Sequence, residues 1–146
     1  MEYSQQFTRD FMRRTLDLVK QYKGEHDATL LLNCLLGLLI VPKESFINKI
    51  PEDPVSCLPR WGLSVQSIKS FGKQKGQDHP HTLRQVVWSL RNSVAHCRFE
   101  PVHENGKVTG FSFDDKSGFS ATINLIEVRQ FVERLAEYLE YELTPR

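Results

Sequence analysis

A chain of 146 residues with 40% hydrophobic content has the size and apolar share of one domain, residues 1–146, without suggesting a membrane protein. Its net charge of +1 excludes a global attraction to nucleic acid, so any such binding must rest on local clusters. The start, MEYSQQFTRDFMRR, lacks the apolar run of a signal peptide, and the three cysteines Cys34, Cys57 and Cys97 are odd in number and widely spaced; the expectation is a reduced, cytoplasmic protein.

In chain order, SQQFTRDFMRRTLDLVKQYKG predicts a first helix with Phe7, Phe11, Leu18 and Tyr22 at helical spacing and Gly24 at its stop. ATLLLNCLLGLLIV, Ala28 to Val41, covers about 21 Å at about 1.5 Å per residue, short of the ~30 Å hydrocarbon layer, and Asn33 interrupts it. It is expected as a helix buried on nearly all sides, capped by Asp27 and closed by Pro42, forming an αα-hairpin with the first. From Lys43 to Thr82, four prolines and short apolar clusters predict irregular structure with brief helical pieces around Glu44 to Lys49 and Ser64 to Phe71. Between Pro54 and Gln77 there is no acid, while Arg60, Lys69, Lys73 and Lys75 are basic. The three lysines Lys69, Lys73 and Lys75 are candidate ligand contacts, although a short basic run is commonly a solvated loop.

A further helix is expected from about Thr82 to His96, and after it the period turns to alternation. A strand around Arg98 to His103, an Asn105-Gly106 turn, a second strand with Val108, Phe111 and Phe113, and a third with Phe119, Ala121 and Ile123 predict a small antiparallel meander, its first strand placed at an edge by Pro101. Asn124 and Glu127 are spaced as a capping box before a final helix whose apolar face is Val128, Phe131, Val132, Leu135 and Leu139. The fold class is therefore mainly α with a β-meander before the last helix.

On a wheel of about 100° per residue, Leu83, Val86, Val87, Leu90 and Val94 form the core face of the Thr82 to His96 helix. Arg91 lies on one flank and His96 about 140° further round, with Trp88, Asn92 and Ala95 between, so the polar residues are expected to face away from the core. A large aromatic on such a face suits an interface, and a second subunit could cover Trp88.

The stretch Arg91-Asn92-Ser93-Val94-Ala95-His96, on a late helix followed by a hairpin and a terminal helix, resembles the R-x4-6-H signature of the HEPN superfamily, in particular small plasmid- and defence-associated members. The resemblance covers the motif helix, hairpin and last helix; the leading helices agree in type, and the middle segment does not enter into it. It implies a HEPN-like helical bundle that dimerises through the motif helix, and metal-independent cleavage of RNA to 2′,3′-cyclic phosphate and 5′-hydroxyl ends, with no cofactor. By the same resemblance Arg91 stabilises the phosphorane, His96 does general acid/base work and Asn92 supports them. Arginine keeps its charge and offers forked donors to phosphate, and histidine exchanges protons near neutral pH, which gives that assignment chemical sense. A toxin or phage-defence role, with an antitoxin or regulator as partner, belongs to the same reading.

Two alternatives stand beside it: a non-catalytic HEPN module that binds RNA, nucleotide or a partner protein, and a structural helical dimer. A zinc site has little support, because no C-x2-C or H-x3-H pair occurs and HPH at His79 to His81 is poorly spaced. Cys97 beside His96 reads as a small hydrophobe, since adjacency does not make a catalytic pair.

Overall fold

A computed structural model of the protein describes residues 2–42, 47–72 and 81–145. Its α-helices are α1 (Glu2–Gln21), α2 (Asp27–Ile40), α3 (Leu83–Ala95) and α4 (Leu125–Leu143), and its strands are β1 (Ile68–Phe71), β2 (Phe99–Glu104), β3 (Lys107–Asp114) and β4 (Phe119–Asn124). Two 3-10 turns, Val55–Trp61 and Val65–Ser67, lead into β1. The fold is mixed α+β. No helix among the described residues is long and apolar enough to cross a membrane.

The helical faces expected for α3 and α4 are the buried ones: Leu83, Val86, Val87, Leu90 and Val94 on the first, Val128, Phe131, Val132, Leu135 and Leu139 on the second. In α1 the expectation fails. Phe7 and Leu18 are more than half exposed, and the buried stripe is Thr8, Met12, Thr15 and Val19, spaced i, i+4, i+7, i+11. Two threonines on that stripe keep it slim where α1 lies along α4, while Phe11 packs sideways over Gly37 of α2. Nor is α2 buried nearly all round, because Asn33 and Ile40 are exposed and Leu32 and Leu36 half-buried. Asp27 is its first helical residue rather than the cap, and Asp27 Oδ1 accepts from the Ala28 amide at 2.8 Å.

The expected meander forms, with Asn105 and Gly106 both at positive φ (52° and 78°), the primed turn that matches strand twist. The sheet, however, has four antiparallel strands in the order β1-β4-β3-β2. The helical piece expected over Ser64 to Phe71 is a short 3-10 turn followed by β1, which pairs with β4 through Ile68 to Ala121 and Phe71 to Phe119. Tertiary pairing decides this segment: β-branched Ile68 is buried against the core while β1 covers an otherwise open edge of β4. The piece expected around Glu44 to Lys49 lies partly outside the described residues.

Phe111 and Phe113 of β3 and Phe119, Ala121 and Ile123 of β4 are buried and join the helical residues in one core. At the start of α4, Asn124 Oδ1 accepts from the Glu127 amide at 2.9 Å, as the spacing predicts. The reciprocal half of the box differs. Glu127 Oε1 accepts from the Ser64 amide and Oε2 from Asn124 Nδ2, so the carboxylate ties the middle segment to α4. Gly62, at φ +83°, lets that segment lie against the α4 backbone at Gln130 and Phe131, where a Cβ would collide.

Candidate active site

Helix α3 carries the candidate residues and is fixed at both ends. At its start, Thr82 Oγ1 accepts from the Gln85 amide and Gln85 Oε1 accepts from the Thr82 amide, a complete capping box. At its end, the Cys97 amide donates to the Val94 carbonyl at 3.1 Å and the Arg98 amide to the Ser93 carbonyl at 2.7 Å. With Cys97 at φ +55°, this is a Schellman motif in which cysteine stands where glycine is usual. His96 is the cap residue of that motif and is exposed.

Contacts to the sheet hold the same end in place. Ser93 is fully buried and its Oγ donates to the Asp114 carbonyl at 2.6 Å. The Arg98 guanidinium meets Asp114 Oδ1 through both Nε and Nη2, each at 2.6 Å. His96 thus sits between two residues tied to β3, which limits the drift of its backbone.

Arg91 is placed differently from expectation. It is half-buried, its Nε is buried, and its guanidinium carbon lies 5.2 Å from the centre of the Trp88 ring. The side chain packs along Trp88 instead of standing clear of the fold, a contact that i, i+3 spacing on a helix allows. Trp88 is itself half-buried, and its Nε1 donates to Asn48 Oδ1 at 3.3 Å, so a segment of the same chain covers part of the aromatic face. Arg84, one turn earlier on that stripe, donates to the Ile50 carbonyl at 2.7 Å and meets Glu52 at 3.1 Å.

Asn92 and His96 are both exposed on the outer side of α3, and the His96 amide donates to the Asn92 carbonyl at 3.1 Å. His96 lies five positions after Arg91, an axial offset of about 7.5 Å. The helix therefore offers a fixed cation resting on an aromatic ring and an accessible imidazole one and a half turns on. Lys69 is exposed on β1, the sheet edge opposite β2, and is not brought to His96; Lys73 and Lys75 lie outside the described residues. Among the described residues, no three His, Cys, Asp or Glu side chains group closely enough to hold a metal ion.

Sequence reasoning missed Ser93, Arg98, Asp114 and Asn48. Ser93 looks like one more polar residue of the motif, and its burial follows only from the register of α3 over β3. The Arg98 to Asp114 pair is readable once β2 is laid antiparallel on β3, where Phe99 stands opposite Phe113. Asn48 has no local signal.

The model of the HEPN pEK499 p136 family matches residues 1–145. The chain belongs to this HEPN family. No curated protein and no solved structure gives a significant match. HEPN domains are often ribonucleases, and membership suggests a ribonuclease or a nucleotide-binding module.

Proposed function

We propose that this HEPN protein is an RNA endonuclease that cuts without a metal ion, with Arg91, Asn92 and His96 at its centre. The observation that carries the reading is a half-buried guanidinium resting on Trp88 and an exposed imidazole five positions further on, at the anchored end of the same helix, in a chain of HEPN membership. In the reaction the 2′-oxygen bonds to phosphorus and the bond to the 5′-oxygen breaks. The 2′-hydroxyl loses a proton and the departing 5′-oxygen gains one. His96 suits one or both transfers, Arg91 the charge that builds on the non-bridging oxygens, and Asn92 a hydrogen bond to phosphate.

One imidazole and one guanidinium make a sparse site for two proton transfers and charge stabilisation. A two-fold dimer across α3 would bring two copies of each together and cover what Asn48 leaves open of Trp88. In that composite site, Arg91 of one subunit works beside His96 of the other. Lys69, Lys73 and Lys75 extend the reading as phosphate contacts, and a toxin or defence setting with a protein regulator is its biological form.

The test is incubation of purified protein with total RNA in EDTA, followed by analysis of fragment ends. Expected are 2′,3′-cyclic phosphates and 5′-hydroxyls, with cleavage lost in both Arg91→Ala and His96→Ala. Cleavage that requires added divalent metal, or that survives both substitutions, refutes the assignment. Mixing the two inactive variants under subunit exchange should restore partial activity, and a monomer that still cuts would end the composite site. The non-catalytic alternative keeps its place if RNA or nucleotide binds and no cleavage occurs.

A further inference from the structure

On the far side of the Asn48-containing segment, a concavity of about 310 Å³ lies between the Val55–Trp61 turn and α4. Its walls are aromatic. Trp61 and Tyr138 meet edge to face with ring centres 5.3 Å apart, and Tyr141, one turn on, is 57% exposed. Two exposed arginines, Arg60 and Arg134, stand on its rim, and Arg134 Nη1 donates to the Arg60 carbonyl at 3.1 Å, which fixes that guanidinium in place. Glu137 also lines it, with its carboxylate 3.7 Å from Lys20, and Glu142 and Asp53 act on the Tyr138 hydroxyl, so the two arginines are the cations that face the hollow itself.

This hollow connects to the candidate active site through a short series of contacts. Arg91 rests on Trp88, Trp88 donates to Asn48, and the carbonyl of the next residue, Lys49, accepts from Tyr138 Oη at 2.8 Å. Aromatic faces beside guanidinium groups suit the bases and phosphates of an unpaired strand, since any base can stack and the backbone supplies the charge. The volume is of the size that small ligands occupy. A larger concavity of about 890 Å³, between the α1–α2 turn, the β2–β3 hairpin and the start of α4, suits such a ligand less well: no Phe, Tyr or Trp lines it, no arginine stands on it, and Glu25 and Asp27 oppose its one lysine, Lys107.

Resting on the ribonuclease reading for the identity of its ligand, we infer that the Trp61, Tyr138 and Tyr141 hollow, with Arg60 and Arg134, takes a nucleotide of the single-stranded RNA whose scissile phosphate Arg91 holds. Stacking falls to the exposed face of Tyr141 and to Tyr138, and the two arginines contact the adjoining phosphates.

The probe is a short, unstructured oligoribonucleotide with 2′-O-methyl riboses, which binds but cannot be cut, followed by fluorescence anisotropy across a salt series. Tyr141→Ala should weaken its binding roughly five-fold or more, the loss of one stacked base. The Arg60→Gln, Arg134→Gln double variant should lower the salt slope by about 1.4, at about 0.7 per lost phosphate contact on a single strand. Thermal melting of each variant checks that the fold is intact, and Arg60→Gln alone, which keeps the backbone carbonyl that accepts from Arg134, gives half the slope change if Arg134→Gln disturbs the fold. Unchanged affinity and slope in these variants, equal binding of a duplex, or no binding by the wild type overturns the inference. So does loss of dimers in Tyr141→Ala with RNA binding intact, since the hollow is then a protein interface. Cleavage of natural RNA is scored separately: if the wild type never cuts but the oligonucleotide binds through these residues, the hollow stands and the nuclease reading falls.

Discussion

Replacing Cys97 with glycine should stabilise the protein. Cys97 holds φ at +55°, a left-handed conformation that costs an L-residue roughly 1–2 kcal/mol, and it is exposed, so its small side chain contributes little buried area that glycine would forfeit. Glycine adopts the conformation freely but adds about 0.5–1 kcal/mol of unfolded-state entropy, leaving a net gain of about 0.5–1 kcal/mol. Urea denaturation reads this directly: with a slope of about 2 kcal/mol per molar, the midpoint should rise by about 0.25–0.5 M with the slope unchanged. Cys97→Val should move it the other way, because a β-branched residue tolerates positive φ poorly. A midpoint that falls for glycine, or stays put for valine, would refute the view that the Schellman turn after His96 is strained.

Arg91→Ala and His96→Ala should separate in stability although both are expected to lose activity. The half-buried guanidinium over Trp88 makes the first cost about 1–2 kcal/mol, while the exposed imidazole makes the second neutral within about 0.5 kcal/mol; equal melting losses would contradict the packing of Arg91. Burial raises the Cys34 thiol above its ordinary 9.0, with Arg129 pulling weakly the other way, so the unfolded chain ionises first and stability should hold below about pH 9 and fall as pH rises through the folded value. Cys34→Ala should flatten the alkaline decline measured by urea midpoints, and an unchanged decline would assign it elsewhere, Tyr138 being the first suspect because burial raises it as well.

Where burial follows a strict helical period, residues alone suffice, and the inward faces of α3 and α4 are legible to the residue. The rule fails in α1 because bulk is not burial: Phe7 and Leu18 lie on the outer and flanking sides, while slender Thr8 and Thr15 occupy the contact with α4. Strand β1 is hidden for another reason. Four residues carry little period, and what makes them a strand is the open edge of β4, some fifty positions later. The candidate site divides likewise. The spacing of Arg91, Asn92 and His96 is local and readable, but the direction of the Arg91 side chain is not: it packs back on Trp88, three residues earlier, where the wheel places it clear of the fold. That Asn48 reaches Trp88, or that Arg98 clasps Asp114, depends on how distant segments fold together.

The late arrival of β1 has a kinetic consequence. Strands β2 to β4 lie within residues 99–124 and can pair through short loops, whereas β1 must close a much longer loop to reach β4. Its four residues are thus suited to be the last part of the sheet to form and the first to open, and their amides should exchange hydrogen through a partial opening well below the cost of global unfolding. Each such opening bares the edge of Phe119–Asn124, a run of alternating apolar residues without proline or charge. In that brief state the molecule is still folded yet sticky. Substitutions that loosen β1 should therefore show themselves as concentration-dependent association before any loss of helix is measurable.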